Sequence, residues 1–160
     1  MGVRAHSVTA AVDPKIVWER WTDPDLWVTD DPLLATAKLN GPLAKGAVGM
    51  VRTTRGARSA FKIVEGDRQQ MRFVTESKLA LATVTIEREL TRPEVDADPV
   101  GGADAPAEPV EVDPNLRVLT HRIIIKGPLA KLWDRLIGKR MSTGLPEQLA
   151  NITAAAALED

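Results

Sequence analysis

The stretch GPLAKLWDRLIGKRMSTGLPEQLANITAAAA, Gly127 to Ala157, decides the fold. Its apolar residues Leu129, Leu132, Trp133, Leu136, Ile137, Met141, Leu145, Leu149, Ile152 and Ala156 recur at steps of three and four. That spacing gathers them on one stripe of a long amphipathic helix. The stripe keeps its phase through Gly144 and Pro146, although Pro146 has no N–H to offer the carbonyl of Ser142. The spacing therefore predicts one helix with a kink at this point rather than two independent helices. A stripe of this length must be buried on something, and the rest of the chain reads as a sheet.

Working back from the helix, Arg117 to Lys126 contains Ile123-Ile124-Ile125 and is rich in β-branched residues, so it reads as a strand buried on at least one face and ended by Gly127-Pro128. At the other end, Val3 to Val12 alternates loosely and stops at Asp13-Pro14, a capping aspartate followed by a proline suited to the first helical position. The helix it opens carries Val17, Trp18 and Trp21, and Thr22-Asp23-Pro24 repeats the signal ahead of Leu26 and Trp27. After Asp30-Asp31-Pro32 come the runs Leu33–Leu39, Ala47–Thr54, Ser59–Glu65, Met71–Glu76 and Leu79–Leu90, separated by Gly41-Pro42, Gly46, Gly56 and Gly66-Asp67. Such spacing suits an antiparallel meander. The expected architecture is α+β: a curved antiparallel sheet of about seven strands wrapped around the long C-terminal helix, with two short helices after the first strand. Residues 1–160 read as a single domain.

Composition narrows the function classes. Of 160 residues, 44% are hydrophobic and 27% charged, a balance that suits a globular chain and excludes a mostly disordered one. The absence of cysteine removes disulfides, thiolate catalysis and cysteine-ligated metal centres. No apolar run approaches the ~20 residues of a membrane span. Met1 to Ala11 lacks the apolar core of a secretory signal, so a cytoplasmic location is expected.

Net charge is −1, but Pro93 to Leu116 holds seven acids, five prolines and no lysine or arginine. The remainder carries 21 bases against 15 acids, about +6. The acidic segment reads as a flexible loop at 93–116, either a tolerated insertion or a flap over a pocket mouth. The bases elsewhere are scattered and no aromatic residues alternate with them, so no nucleic-acid partner is expected.

Together these features resemble the START-like helix-grip superfamily, also called SRPBCC or polyketide cyclase/dehydrase-like, which includes the major birch-pollen allergen. The resemblance spans nearly the whole chain and rests on Val12-Asp13-Pro14 to Trp18, Thr22-Asp23-Pro24 with Trp27, and Leu39-Asn40-Gly41-Pro42 with Gly46 and Gly49. It continues in Phe61-Lys62-Ile63-Val64-Glu65, Val118-Leu119-Thr120-His121, Gly127-Pro128-Leu129 and Leu145-Pro146-Glu147. It implies the helix-grip fold and an interior cavity, and a function drawn from lipid, sterol or polyketide binding, polyketide cyclisation or dehydration, or protein partnership. The chain departs from defined branches: no phosphate-loop-like glycine cluster stands between Gly41 and Gly56, and two histidines cannot build the histidine-carboxylate iron site of the oxygenase branch. The resemblance therefore carries over no catalytic residues.

Cavity lining is expected from Trp27, Met50, Phe61, Ile63, Met71, Phe73, Leu81, Trp133, Ile137 and Met141, since methionines and aromatics suit an irregular apolar ligand and an ordinary core alike. His121 shares a strand face with Leu119, Ile123 and Ile125, and serves either as a general acid or base or as a hydrogen-bonded structural residue. Of Glu87, Arg88 and Glu89, at least one faces inward if the strand stays regular to its end, where Glu87 or Arg88 would polarise a ligand carbonyl or pair across the cavity; if the strand has passed the sheet rim, all three are solvated. Arg52 shares a face with Val48 and Met50, and in an enzyme Arg52 or Arg88 would stabilise a developing enolate. No metal or cofactor is expected, because the two histidines, His6 and His121, show no ligand spacing and no GxSxG, Walker or GxGxxG motif occurs. The leading reading is binding or transport of a small hydrophobic ligand such as a lipid, isoprenoid or polyketide-like compound. A cofactor-independent cyclase or dehydrase using His121 is the alternative, and a protein-interaction module is a third.

Overall fold

In the computed structural model, which describes residues 1–94 and 113–158, the chain runs β1 (Gly2–Ala11), α1 (Pro14–Thr22), α2 (Pro24–Asp30), β2 (Leu34–Asn40), β3 (Val48–Thr53), β4 (Arg58–Asp67), β5 (Arg72–Leu79), β6 (Ala82–Thr91) and β7 (Leu116–Lys126). The C-terminal helix follows in pieces: α3 (Ala130–Trp133), a π-helical segment (Asp134–Gly138), α4 (Lys139–Thr143) and α5 (Leu145–Ala156). Asp13 caps α1 through the Lys15 N–H and Asp23 caps α2 through the Asp25 N–H, each ahead of a proline in the first turn. These side chains satisfy donors that the first helical turn leaves unpaired.

The seven strands form one antiparallel sheet in the order β1-β7-β6-β5-β4-β3-β2. β1 and β2 are consecutive strands at opposite edges, and α1 and α2 cross between them. The expected bend lies at Gly144, between α4 and α5. The end of α5 is fastened to the end of β1 by an Asp13 N–H bond to the Ala156 carbonyl, 2.8 Å, and by the Val12–Ala157 bridge.

Alternation along the strands sends Phe61 and Ile63 of β4, Phe73 and Thr75 of β5, Val84 and Arg88 of β6, and Leu119, His121, Ile123 and Ile125 of β7 to the concave, buried face. They pack against Val17 and Trp21 of α1, Trp27 of α2, and Leu145, Leu149 and Ile152 of α5. On the convex face, Arg72 pairs with Glu65, Glu87 and Glu89, and Arg122 with Glu87 at 2.8 Å. Thus of the three charged residues near the end of β6, Arg88 turns inward and its two neighbours outward.

Two readings of the sequence need correction. Leu79–Leu90 is not one run: the chain turns at Ala80-Leu81, with Leu81 at φ 54, and leaves Leu81 66% exposed at the tip of the β5–β6 hairpin. In β3 the inward positions are Gly49 and Val51, so Met50 and Arg52 face solvent. Gly49 must point inward because the Phe61 ring and the Lys38 carbonyl occupy the space a Cβ would fill. The acidic loop lies largely outside the described residues; its last part, Asp113–Asn115, forms a turn into β7 in which the Asp113 carboxylate accepts from the Asn115 N–H at 2.8 Å.

Candidate functional site

Between the concave face and the helices lies a cavity of about 450 Å³. Its walls come from every layer: Trp21 and Trp27 from α1 and α2, Phe61, Thr75, Val84, Ile86, Arg88, His121 and Ile123 from the sheet, and Trp133, Ile137, Met141, Leu145, Gln148 and Ile152 from the C-terminal helix. The size falls within the ~300–1,000 Å³ usual for small-molecule sites. The lining reaches solvent at two exposed residues, Ala57 in the β3–β4 turn and Arg58 at the start of β4.

Of the residues expected to line a cavity, Trp27, Phe61, Trp133, Ile137 and Met141 do so, as do His121 and Arg88. Ile63 and Phe73 are buried but line a smaller void of about 180 Å³ beside Trp18, Leu43 and Lys45. Met71 sits at φ 50 at the turn into β5 and packs against the core away from the cavity. Met50, Leu81 and Arg52 lie on the surface.

An aromatic cluster fixes the wall that α1 and α2 supply. Trp27 and Phe61 have ring centroids 5.0 Å apart, Trp18 and Phe73 6.1 Å, and the Trp27 Nε1–H donates to the Trp21 carbonyl at 2.8 Å. Across the cavity, Trp133 donates to the Ala80 carbonyl at 2.8 Å and so ties the helix to the β5–β6 turn.

His121 is enclosed by two side chains. The Trp21 Nε1–H donates to its Nε2 at 3.1 Å, and its Nδ1 lies 3.3 Å from Gln148 Oε1. An indole N–H only donates, so Nε2 is an acceptor and Nδ1 carries the proton given to Gln148. Burial, reinforced by the nearby Arg88 charge and opposed by the Gln148 bond, lowers its pKa to about 3. Both nitrogens of the neutral ring are engaged, which leaves it no free lone pair to take a substrate proton.

Arg88 is the buried cation of the site, 7% exposed. Its guanidinium carbon lies 5.5 Å from the Trp27 ring centroid and 5.4 Å from that of Phe73, and Nη1 donates to Thr75 Oγ1 at 3.3 Å. Burial lowers its pKa to about 10, with the Asp31 charge acting in opposition. Asp30, 3% exposed, pairs with Arg20 at 3.5 Å through Oδ1, while its Oδ2 and the Thr53 hydroxyl are buried without hydrogen-bond partners. Burial raises the pKa of both Asp30 and Asp31.

Trp21, Asp30, Asp31, Thr75 and Gln148 line the cavity but are not among the site residues that the sequence points to. For Asp30 a signal exists: an acid in the last turn of a helix opposes the helix dipole, so a carboxylate ending α2 has a reason other than helix stability. Gln148 and Trp21 carry no such mark, because only the β7–α5 and β7–α1 packing brings them to His121.

Among the described residues no group of three or more histidine or acidic side chains is placed to hold a metal, and no helix is long and apolar enough to cross a membrane. No protein-family model matches the chain, and no curated relative matches its sequence. Solved structures do resemble it. A hypothetical protein from Helicobacter pylori superposes with a TM-score of 0.71 at 11% identity over 97% of this chain and 88% of that one. Norcoclaurine synthase from Thalictrum flavum, in complex with dopamine and hydroxybenzaldehyde, gives 0.62 at 11% identity over 96% and 84%. Ara h 8.0201 gives 0.61 at 12% identity over 96% and 99%. At such identities the likeness is one of fold, and the fold of this chain is the START-like helix grip.

Proposed function

We propose that the chain binds a small, largely apolar molecule in the cavity between the sheet and the C-terminal helix. The observation that carries this reading is the 450 Å³ space, walled mainly by aromatic and aliphatic side chains. An ordinary core closes such a volume, because each unfilled Å³ lined by apolar atoms costs stability. The ligand class is a lipid, isoprenoid or polyketide-like compound, as the sequence suggests. Norcoclaurine synthase, a protein of the same fold, holds dopamine and hydroxybenzaldehyde, which supports small organic molecules as occupants of such folds. Binding is favoured over cyclase or dehydrase chemistry by the state of His121, neutral with both ring nitrogens engaged.

The test is native mass spectrometry of the purified protein, followed by extraction of any copurified compound and titration of the stripped protein with the neutral dye Nile red. One-to-one uptake that Met141→Trp abolishes, with the circular dichroism spectrum unchanged, is the expected result. No ligand and no dye uptake by the wild type, or uptake indifferent to both Met141→Trp and Ile137→Trp, overturns it.

A further inference from the structure

Arg88 raises a question that an apolar ligand alone does not answer. The side chain is more than nine-tenths buried and lines the cavity, yet it makes no ion pair among the described residues. A guanidinium has five N–H donors, and the single hydrogen bond to Thr75 uses one of them. Contacts with the faces of Trp27 and Phe73 offset part of the desolvation but supply no acceptor. Asp31 acts on this charge only from beyond ion-pair distance, and burying a charge without a contact partner is costly in a protein interior.

Neither neighbouring carboxylate makes a contact pair with Arg88. Asp30 answers to Arg20, and one Asp31 oxygen accepts from the Leu33 N–H at 2.9 Å. Counting the whole lining, Arg20, Arg58, Arg88 and Arg140 stand against Asp30 and Asp31, so four cations less two anions leave the cavity at +2. An anion entering it meets a field of the right sign and a planar fork of donors suited to two oxygens.

We infer that the ligand is an amphiphile with an anionic head, a carboxylate or a phosphate monoester, which the Arg88 guanidinium receives while the apolar remainder lies along Trp133, Ile137 and Met141. This inference rests on the cavity reading above and adds the chemical class of the ligand to it. It explains a cation placed where no apolar molecule requires one. It also gives Thr75 a purpose, since the Thr75 hydroxyl holds Nη1 and so sets the plane of the fork.

The experiment displaces Nile red from the stripped protein with three probes of equal chain length: dodecanoic acid, dodecyl phosphate and dodecanol, at a pH where both acids are ionised. The wild type is expected to prefer at least one of the acids to the alcohol by about tenfold or more, the worth of a charge-assisted hydrogen bond in a buried site. Which acid is preferred separates a carboxylate from a phosphate head. In Arg88→Met, which keeps an apolar side chain of similar reach, the preference is expected to vanish while Nile red still binds. Equal displacement by acids and alcohol in the wild type overturns the inference without recourse to any variant, and so does a preference that survives Arg88→Met. Because Nile red is neutral, its uptake in those cases leaves the cavity reading standing. Failure of the wild type to take up Nile red or any of the three probes overturns both.

Discussion

The indole N–H of Trp21 and Nε2 of His121 meet at 3.1 Å across one hundred residues of sequence. This bond joins the first helix to the strand completing the sheet, and it settles the tautomer of the ring facing the cavity. Because burial lowers the folded-state pKa of His121 to about 3, below the ordinary histidine value of 6.5, the unfolded chain binds the extra proton between those values. The stability this group contributes is complete above the unfolded pKa and is lost as the pH falls toward 3.

The first prediction follows from that sign. Between about pH 7 and about pH 5, His121 should withdraw about 2 kcal/mol from the folding free energy. Urea denaturation at both pH values checks this against His121→Gln, in which that part of the slope should disappear. The comparison is needed because Asp30 and Asp31, whose pKa values burial raises, act in the opposite direction. Ring nitrogen shifts of His121 should also stay those of the neutral Nδ1–H form through this range.

Replacing Trp21 by Phe keeps most of the aromatic volume but removes the donor. His121 Nε2 is then left buried without a partner, at a cost of about 1–3 kcal/mol. Urea denaturation at neutral pH measures it, and a loss well under 1 kcal/mol would show that the ring finds another donor.

Gly49→Ala should be among the most damaging single-methyl additions in the sheet. A Cβ at this position would collide with the Lys38 carbonyl oxygen and with Phe61 Cζ. Overpacking of this kind costs about 3 kcal/mol, and Phe61→Leu should not restore the loss, because the Lys38 carbonyl is main chain. Thermal denaturation of the single and double variants decides.

The Arg4 guanidinium holds the Asp134 carboxylate through two hydrogen bonds of 2.9 and 2.8 Å, and that bonding lowers the Asp134 pKa. The stability this carboxylate adds is present above its unfolded value and lost as the pH falls through the folded one. Both groups are partly exposed, so Asp134→Asn should change overall stability little. Its mark should be local: faster amide hydrogen exchange in Asp134–Gly138, the π-helical segment that Arg4 ties to the sheet edge.

Most of the architecture is legible before any coordinates. The two Asp-Pro starts fix α1 and α2, the steps of three and four fix the C-terminal helix, and the glycine punctuation separates most of the strands. The errors share a cause. In β3, hydrophobicity favours Val48 and Met50 as inward residues, but the close approach of Phe61 reserves the inward position for a residue without a side chain. At Ala80-Leu81 a two-residue turn built from apolar residues lacks the glycine or asparagine that would announce it. The site is less legible than the fold because its polar members are brought together by packing. Alternation places His121 and Arg88 on the buried face, but nothing in the order of residues says that Trp21 and Gln148 close around the one or that the Trp27 and Phe73 rings lie against the other.

The placing of β1 at the sheet edge beside β7 has a consequence for how the chain acquires its structure. Among the described strands Gly2–Ala11 pairs only with Leu116–Lys126, so β1 waits for β7, the last strand of the sheet in sequence order. Contacts of such long sequence separation slow folding, since loop-closure entropy is lost before they repay it. Until then β2 to β6 can zip up as hairpins between near neighbours, while α1 and Trp21 have no histidine to meet. The meander is thus suited to form early, and the pocket wall made by α1, β7 and α5 becomes complete only when the two ends of the chain come together.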